Sequence, residues 1–409
     1  MAIIVQKYGG TSVGDLERIA KVAARIKRSV DAGHQLAVTV SAMGHTTDRL
    51  IATAKEISTR PNKRELDVLM ATGEQQSMAL LCMQLHAGGI PARSFTGLQA
   101  GFLTTERHGN ARILEVNPER ILNAFDEGVK VAVVAGFQGQ DNAGNITTFG
   151  RGGSDTTAVA IAAALSADTC EIYTDTEGVY TTDPHLVPTA TKMAKIDYSE
   201  MLELASLGAT VLHPRSVWYA RRYGVNIHVR SSFSYNPGTV VTNLAGELVT
   251  DKAVTGVALD RDHARINVLD IPDEPGVAAR IFTALGEAGI AVDMIIQGVP
   301  GQPSSQQMSF TVSQDVVPDA LEAVNTVLAD MGGQAQADDD VAKVSIVGIA
   351  IGSTPGIAGK MFAAIASVGA NIEMVTTSEV RVSVVIRAEQ AETVLKAVHH
   401  AFGLDAGTM

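Results

Sequence analysis

Aromatic residues make up only 4% of this 409-residue chain, and cysteine occurs twice, at Cys82 and Cys170. The two cysteines stand far apart in apolar or helical surroundings, with no CxxC pair and no histidine cluster. Neither a disulfide framework nor a zinc site is predicted, and a reducing compartment fits. Basic clusters are scarce as well. Lys+Arg number 32 against 44 Asp+Glu, a net charge of −12, and the nearest basic group is the pair Arg221-Arg222 on a predicted helix. That excludes a nucleic-acid-binding face and requires any anionic substrate to be drawn by local cations rather than by the global field. No apolar run reaches 18 residues, so no membrane span is predicted. The opening MAIIVQKYGG is too short an apolar run for a secretion signal. The expectation is a soluble, cytoplasmic protein with no nucleic-acid or membrane partner.

What the chain does have is Ala, Val, Ile and Gly. It is 46% hydrophobic, a mix that suits parallel strands under small-residue helices, and its length is enough for two or three domains. Short β-type runs alternate with helical spacing over the first ~230 residues. Ile3-Ile4-Val5 leads into 15–30, where apolar residues at Leu16, Ile19, Ala20, Ala23 and Ile26 follow a helical period behind Asp15 as N-cap or first-turn acid. Strands are read at 36–40, 130–137, 170–174 and 225–229. Helices are read at 48–57, 156–165, 199–207 and 217–223. The alternation predicts an α/β domain, a mostly parallel sheet with helices on both faces.

Residues 232–251 contain SYNPG and read as a linker. Beyond it the chain repeats itself at an offset of 80: Pro275-Gly276-Val277-Ala278 matches Pro355-Gly356-Ile357-Ala358, and Phe282, Ala284, Gly289 and Met294 match Phe362, Ala364, Gly369 and Met374. Each copy reads as strand, Pro-Gly turn, amphipathic helix and strand, so two small α+β modules are expected, with 297–307 as a loop or hairpin. The predicted organisation is 1–245, then 246–335 with linker and first module, then 336–409 as the second module.

Several polar stretches follow strands and precede helices, where ligands bind in open α/β sheets. Lys7-Tyr8-Gly9-Gly10-Thr11-Ser12 offers bare backbone N–H groups and a lysine, which favours an anion, although a tight turn with a solvated lysine is an alternative; the stretch is neither a Walker A loop nor GxGxxG. Gly150-Arg151-Gly152-Gly153-Ser154-Asp155 precedes an alanine-rich helix. A capped turn would account for Ser154 and Asp155 but leaves Arg151 between glycines unexplained; its planar fork suits a carboxylate, and the glycine N–H groups suit a phosphoryl group. Glu74, after a glycine at a predicted helix head, suits an ammonium or is an ordinary first-turn acid. Ser41, Thr46 and Thr47 are ligands or caps. The polar run 173–184 suits a nucleotide. Together the stretches fit phosphoryl transfer from a nucleotide to an amino acid, chemistry that rests on positioning and charge neutralisation.

The segments KYGGTSV (7–13), TGE (72–74), TTFGRGGSDTTA (147–158), YTDTEGVYTTDP (173–184) and LHPRSV (212–217) resemble the aspartokinase family in order and spacing, and the tandem repeat resembles the paired ACT domains that follow the kinase domain there. The resemblance implies an amino-acid-kinase αβα sandwich plus two C-terminal ACT-like modules, and transfer of the γ-phosphoryl of MgATP to the β-carboxylate of L-aspartate. It implies Lys7 and Asp155 as catalytic residues, and Ser41, Thr47, Glu74, Arg151 and Ser154 as the aspartate site. It implies Lys7, Gly9, Gly10, Gly153, Thr174, Asp175, Tyr180, Asp183, His185 and Thr210 around ATP, with Mg2+ held by phosphate oxygens and water rather than by protein ligands. Two positions depart from the family: His185 stands where TDPR has arginine, and Thr210 where GAKVLHP has lysine. The repeat is expected to bind lysine, threonine or both, with candidates Asp273, Gly276, Val277, Ala278, Asp293, Gln297 and Asn371. A homo-oligomer through the repeats is expected, and with it the option of a separate chain carrying only the repeats. A related amino-acid kinase with another substrate and a weakly catalytic amino-acid sensor are the competing readings.

Overall fold

The computed structural model describes residues 2–208, 211–244, 253–302, 305–349 and 351–405. The chain divides into two compact units. The first comprises 1–180, 192–206 and 210–249; the second comprises 181–191, 207–209 and 250–409.

In the first unit the chain runs β1 (Ile3–Tyr8), α1 (Leu16–Asp31), β2 (Gln35–Val40), α2 (Thr46–Ile57), α3 (Lys63–Ala87) and β3 (Ala92–Phe95). It continues with β4 (Phe102–Thr104), β5 (Ile113–Val116), α4 (Glu119–Asp126), β6 (Val131–Ala135), β7 (Gln138–Gln140), β8 (Ile146–Thr148), α5 (Gly153–Ala164) and β9 (Thr169–Thr174). It closes with β10 (Lys195–Asp197), α6 (Tyr198–Ser206), α7 (Pro214–Tyr223), β11 (Ile227–Ser231) and β12 (Thr239–Thr242). Eight strands form one sheet in the order β10-β12-β11-β9-β1-β2-β6-β3. All pairs are parallel except β11 with β12. The fully buried runs of β2 and β6, covered on both faces, are what a parallel sheet requires. A smaller sheet, β5-β4-β7-β8, adjoins it in sequence.

Three local readings change. The stretch expected to be a linker contributes β12, because the alternation Thr239-Val240-Val241-Thr242 buries Thr239 and Val241 in the large sheet. Glu74 is not at a helix head: α3 is 25 residues long and Glu74 lies in its middle. Asp155 and Ser154 do not cap α5; its N-cap is Gly152 at φ +67, with no side-chain capping bond. Asp15 does cap α1, accepting from the Arg18 N–H at 2.8 Å.

The second unit holds β13 (Gly256–Asp260), β14 (His263–Pro272), α8 (Val277–Glu287), β15 (Ile295–Gln302), β16 (Ser305–Ser313), α9 (Val317–Met331) and β17 (Gln334–Asp338). Then follow β18 (Val341–Val347), α10 (Ile357–Ser367), β19 (Met374–Thr377), β20 (Arg381–Arg387) and α11 (Ala391–Ala401). The 80-residue offset is visible in α8 and α10, each behind a left-handed glycine, Gly276 and Gly356. Each module is a four-stranded antiparallel sheet, β15-β16-β14-β17 and β13-β18-β20-β19. The boundary drawn at residue 335 does not separate them. β13 precedes the first module in sequence yet pairs with β18, taking beside β18 the place that β17 takes beside β14. The expected loop or hairpin at 297–307 is the β15–β16 hairpin.

The chain leaves the first unit at Thr181 and rejoins it at Lys192. In the second unit the Thr181 hydroxyl lies 2.9 Å from Nε2 of His399, and the Thr189 hydroxyl donates to Asp405 at 2.6 Å.

Candidate active site

The C-terminal ends of β1 and β2, the loop after β6 and the N-terminus of α5 surround a cavity of about 680 Å3. Strand alternation sends Gln6 and Tyr8 to one face of the sheet and Lys7 to the other. The Lys7 ammonium meets the Asp155 carboxylate at 2.6 Å, and both side chains are nearly buried. Gly9 lies above that ammonium: a Cβ there would be 3.5 Å from Nζ. Gly10 lines the cavity, and a Cβ on it would be 2.9 Å from the Ala42 carbonyl oxygen. Only a bare backbone permits that approach.

α5 is buried from Gly153 to Ala162 and packs against β1, β2, β9 and α7. This places its first turn, Gly153-Ser154-Asp155, at the cavity wall. Gly152 cannot carry a side chain, because its φ is +67 and a Cβ would fall 2.0 Å from His213. Ser154 is equally constrained, since Gly136 passes so close that a Cβ on it would be 2.8 Å from the Ser154 Cβ.

Glu74 enters the cavity from α3. Gly73 lets the helix approach the loop after β2, a Cβ there being 2.9 Å from that of Ala42, and Glu74 Oε1 accepts from the Ala42 N–H at 3.1 Å. Oε2 is buried and has no hydrogen-bond partner among the described residues. Burial pushes the carboxyl up to about 7. An unpaired buried carboxylate oxygen at a cavity wall is a group waiting for a cation or a donor. Ser41, Thr47 and Arg151 also line the cavity.

The structure thus gathers Lys7, Gly10, Ser41, Thr47, Glu74, Arg151, Gly153, Ser154 and Asp155 in one cavity. Thr174 ends β9, which pairs with β1, and Asp175 follows it, their side chains joined at 3.1 Å. Tyr180 ends the same loop and pairs with Lys192. Asp183 and His185 belong to the 181–191 segment of the second unit, where Asp183 accepts from both the His185 backbone N–H and ring Nδ1. Thr210 lies outside the described residues.

Residues that the sequence did not single out support this cavity. Phe137 lines it in a left-handed conformation, φ +71, rare for a bulky residue, held by its N–H on the Thr157 hydroxyl at 3.0 Å. Asp67, fully buried in α3, accepts from Gly109 N–H at 3.0 Å, the Thr148 hydroxyl at 2.6 Å and His108 at 2.9 Å, fixing the strand that leads to Gly150-Arg151. No local motif flags either residue; each depends on contacts made far along the chain.

In the second unit a cavity of about 330 Å3 opens at the N-terminus of α8. Asp273, Gly276, Val277, Ala278 and Gln297 line it, and Gln306 bonds both Asp273 and Gln297. Asp293 is engaged elsewhere, by Lys343 at 2.6 Å and Arg381 at 3.4 Å, which hold its carboxyl below the usual range. Asn371 lies in the turn before β19, outside the residues that line this cavity.

Residues 2–231 match the amino acid kinase family, and residues 270–328 and 344–402 each match the ACT domain. The chain is 66% identical over 406 residues to an aspartokinase of Thermus thermophilus, covering 99% of this chain and 100% of that one. It is similar in structure to aspartokinase III of E. coli in complex with aspartate and ADP in the R-state, with a TM-score of 0.81, 25% identity, and coverage of 98% of this chain and 99% of that one. The same enzyme in complex with lysine and aspartate in the T-state matches with a TM-score of 0.74, 25% identity and the same coverage. With the kinase signature over the first unit, two ACT repeats in the second, and this identity along the whole length, the chain belongs to the amino acid kinase family and, within it, to the aspartokinases.

Proposed function

We propose the following roles for the cavity residues in the reaction this chain catalyses, the phosphorylation of L-aspartate by ATP to 4-phospho-L-aspartate. One observation carries them: a single cavity holds the Lys7–Asp155 pair and the buried Oε2 of Glu74, which has no hydrogen-bond partner among the described residues. Glu74 takes the α-ammonium of aspartate, and Arg151 takes its α-carboxylate through a two-pronged donor set. Ser41, Thr47 and Ser154 orient the side-chain carboxylate, which attacks the γ-phosphorus while ADP leaves. Lys7 meets the charge that develops on the transferring phosphoryl group, and Asp155 holds the ammonium in place. Gly9, Gly10 and Gly153 admit the phosphates to backbone N–H groups. Thr174, Asp175, Tyr180, Asp183 and His185 form the nucleotide's side of the site.

The donor set at the Lys7 end of the cavity suits Mg2+ that arrives on ATP. Asp155 is the carboxylate there and is already paired with Lys7, so phosphate oxygens and water supply most of the coordination, as this ion prefers. When bound it neutralises phosphate charge.

Allosteric regulation belongs to the ACT modules. The α8 cavity supplies the groups an amino acid needs, N–H groups of an uncapped helix start for a carboxylate and Asp273 and Glu274 for an ammonium. Lysine, threonine or both fill it in this proposal. The modules also join the chains of a homo-oligomer, with or without a chain that carries only the repeats.

The test is a coupled ADP-release assay run with and without L-aspartate, with trapping of the acyl phosphate by hydroxylamine, then repeated with lysine and threonine. Aspartate-dependent ADP release with hydroxamate formation supports the reading. ADP release that ignores aspartate, or prefers another amino acid, overturns it.

A further inference from the structure

Arg25 is a buried cation that faces away from the cavity. It lies on α1, is 7% exposed, and is paired with no carboxylate among the described residues. Its guanidinium is instead held between two rings, 4.8 Å from the centre of Tyr173 and 4.2 Å from that of Tyr235, and it donates to the backbone carbonyls of Ser232 at 3.3 Å and Ser234 at 2.6 Å. A buried charge is tolerated only where stacking and hydrogen bonds replace its hydration, so this contact fixes the 232–235 loop firmly.

That loop has three further tethers. The Ser232 N–H donates to the Thr174 carbonyl at 2.8 Å. The Ser232 hydroxyl lies 2.5 Å from that of Ser12. The Ser234 hydroxyl donates to Glu177 at 3.0 Å. Ser12 closes the turn that begins at Gly9, its N–H donating to the Gly9 carbonyl at 2.9 Å, and Gly9 sits over the Lys7 ammonium. Thr174 ends β9 and Glu177 belongs to the loop after it. One short segment therefore grips both the glycine turn and the nucleotide loop, and Arg25 grips the segment.

We infer that Arg25 is a positioning residue for the nucleotide side of the site, acting through Ser232 on the Gly9–Ser12 turn and on the loop after Thr174. It is not among the residues that line the cavity, so its effect falls on ATP. Lysine does not substitute for it, because an ammonium lacks the planar fork that serves aromatic rings and backbone carbonyls at once. The inference rests on the ATP-dependent reaction proposed above.

The experiment uses the full-length chain with R25K, R25M, S232A and the double variant R25M/S232A, measuring KM for ATP and for aspartate separately, ADP binding by calorimetry, and thermal melting. R25K and R25M are expected to raise KM for ATP and weaken ADP binding by about tenfold, with KM for aspartate within about twofold of the parent, a misplacement effect confined to one substrate. S232A is expected to give about a threefold rise, and the double variant to match R25M rather than the product of the two, because both act along one path. The inference is overturned if R25K and R25M leave ATP and ADP binding within twofold, if both KM values rise together alongside a lowered melting temperature, or if S232A leaves KM for ATP unchanged. Should the arginine variants fail to fold, S232A decides the matter alone. Should the parent show no aspartate-dependent turnover, the proposed reaction fails, and ADP calorimetry still tests Arg25.

Discussion

The Lys7 ammonium and the Asp155 carboxylate meet at 2.6 Å across 148 positions of sequence, one at the end of β1 and the other in the first turn of α5. Asp155 keeps the ammonium on the cavity side of the sheet and below the bare backbone of Gly9. Lys7→Ala is expected to lower kcat by roughly 100- to 1000-fold, the usual effect of removing a group that meets transition-state charge, while the melting temperature stays within a few degrees. Asp155→Asn is expected to lower kcat by less, because the lysine remains and loses only its anchor. Rapid-quench or steady-state ADP release measures both; near-normal turnover of the lysine variant would sink the assignment.

The Glu74 carboxyl gives a pH signature. Its value in the folded chain, about 7, lies above the ordinary carboxylate range because burial disfavours the charge. Between that range and 7 the folded chain holds a proton that the unfolded chain has released. This contribution to stability is fully present at low pH and is lost as pH rises through about 7. Glu74→Gln carries no such proton, so above pH 7 it should melt higher than the parent, the gap closing towards pH 5. The same ionisation creates the partner for the substrate ammonium, so KM for aspartate should fall as pH rises to about 7 and then level off. In Glu74→Gln it should be high and flat. A melting gap that ignores pH contradicts the prediction.

How far the sequence carried the reading differs between these two residues. Lys7 sits after a clear β run and before a clear helix, so its place at the end of a strand was legible. Glu74 was read at a helix head because α3 hides its period: Asp67, Gly73, Glu74 and Ser77 are buried along with Met70, Leu81 and Leu85, and polar residues on the buried side blur an apolar stripe. The pairing of β13 with β18 was illegible for another reason. Alternation marks a strand but says nothing of its partner, and the 80-residue repeat drew attention to what the copies share rather than to the strand outside them. Phe137 and Asp67 carry no local signal at all.

Glycines 152 and 276 separate two costs of adding a methyl group. Both have positive φ, +67 and +101, but a Cβ at Gly152 collides with His213 whereas one at Gly276 meets nothing within 4 Å. Gly276→Ala should therefore show backbone strain alone, about 1–2 kcal/mol, with kinase activity retained and the response to lysine or threonine weakened, since the α8 start is displaced. Gly152→Ala should add a forced shift of His213 and of the α5 start, lowering the melting temperature further and abolishing most turnover. Thermal melts and ADP-release assays on the two variants measure the difference. Equal melting temperatures with equal activity would contradict it.

His185 tests the nucleotide side without disturbing the core. It is exposed, and its ring Nδ1 is 3.0 Å from Asp183. The aspartokinase pattern has arginine here, a permanent cation with a fork suited to phosphate. His185→Arg should lower KM for ATP by roughly threefold to tenfold, the scale of one charge-assisted contact. Thr210→Lys supplies the second cation of the family pattern and should act in the same direction. Steady-state KM for ATP checks both, and an unchanged KM in His185→Arg removes His185 from the nucleotide's surroundings.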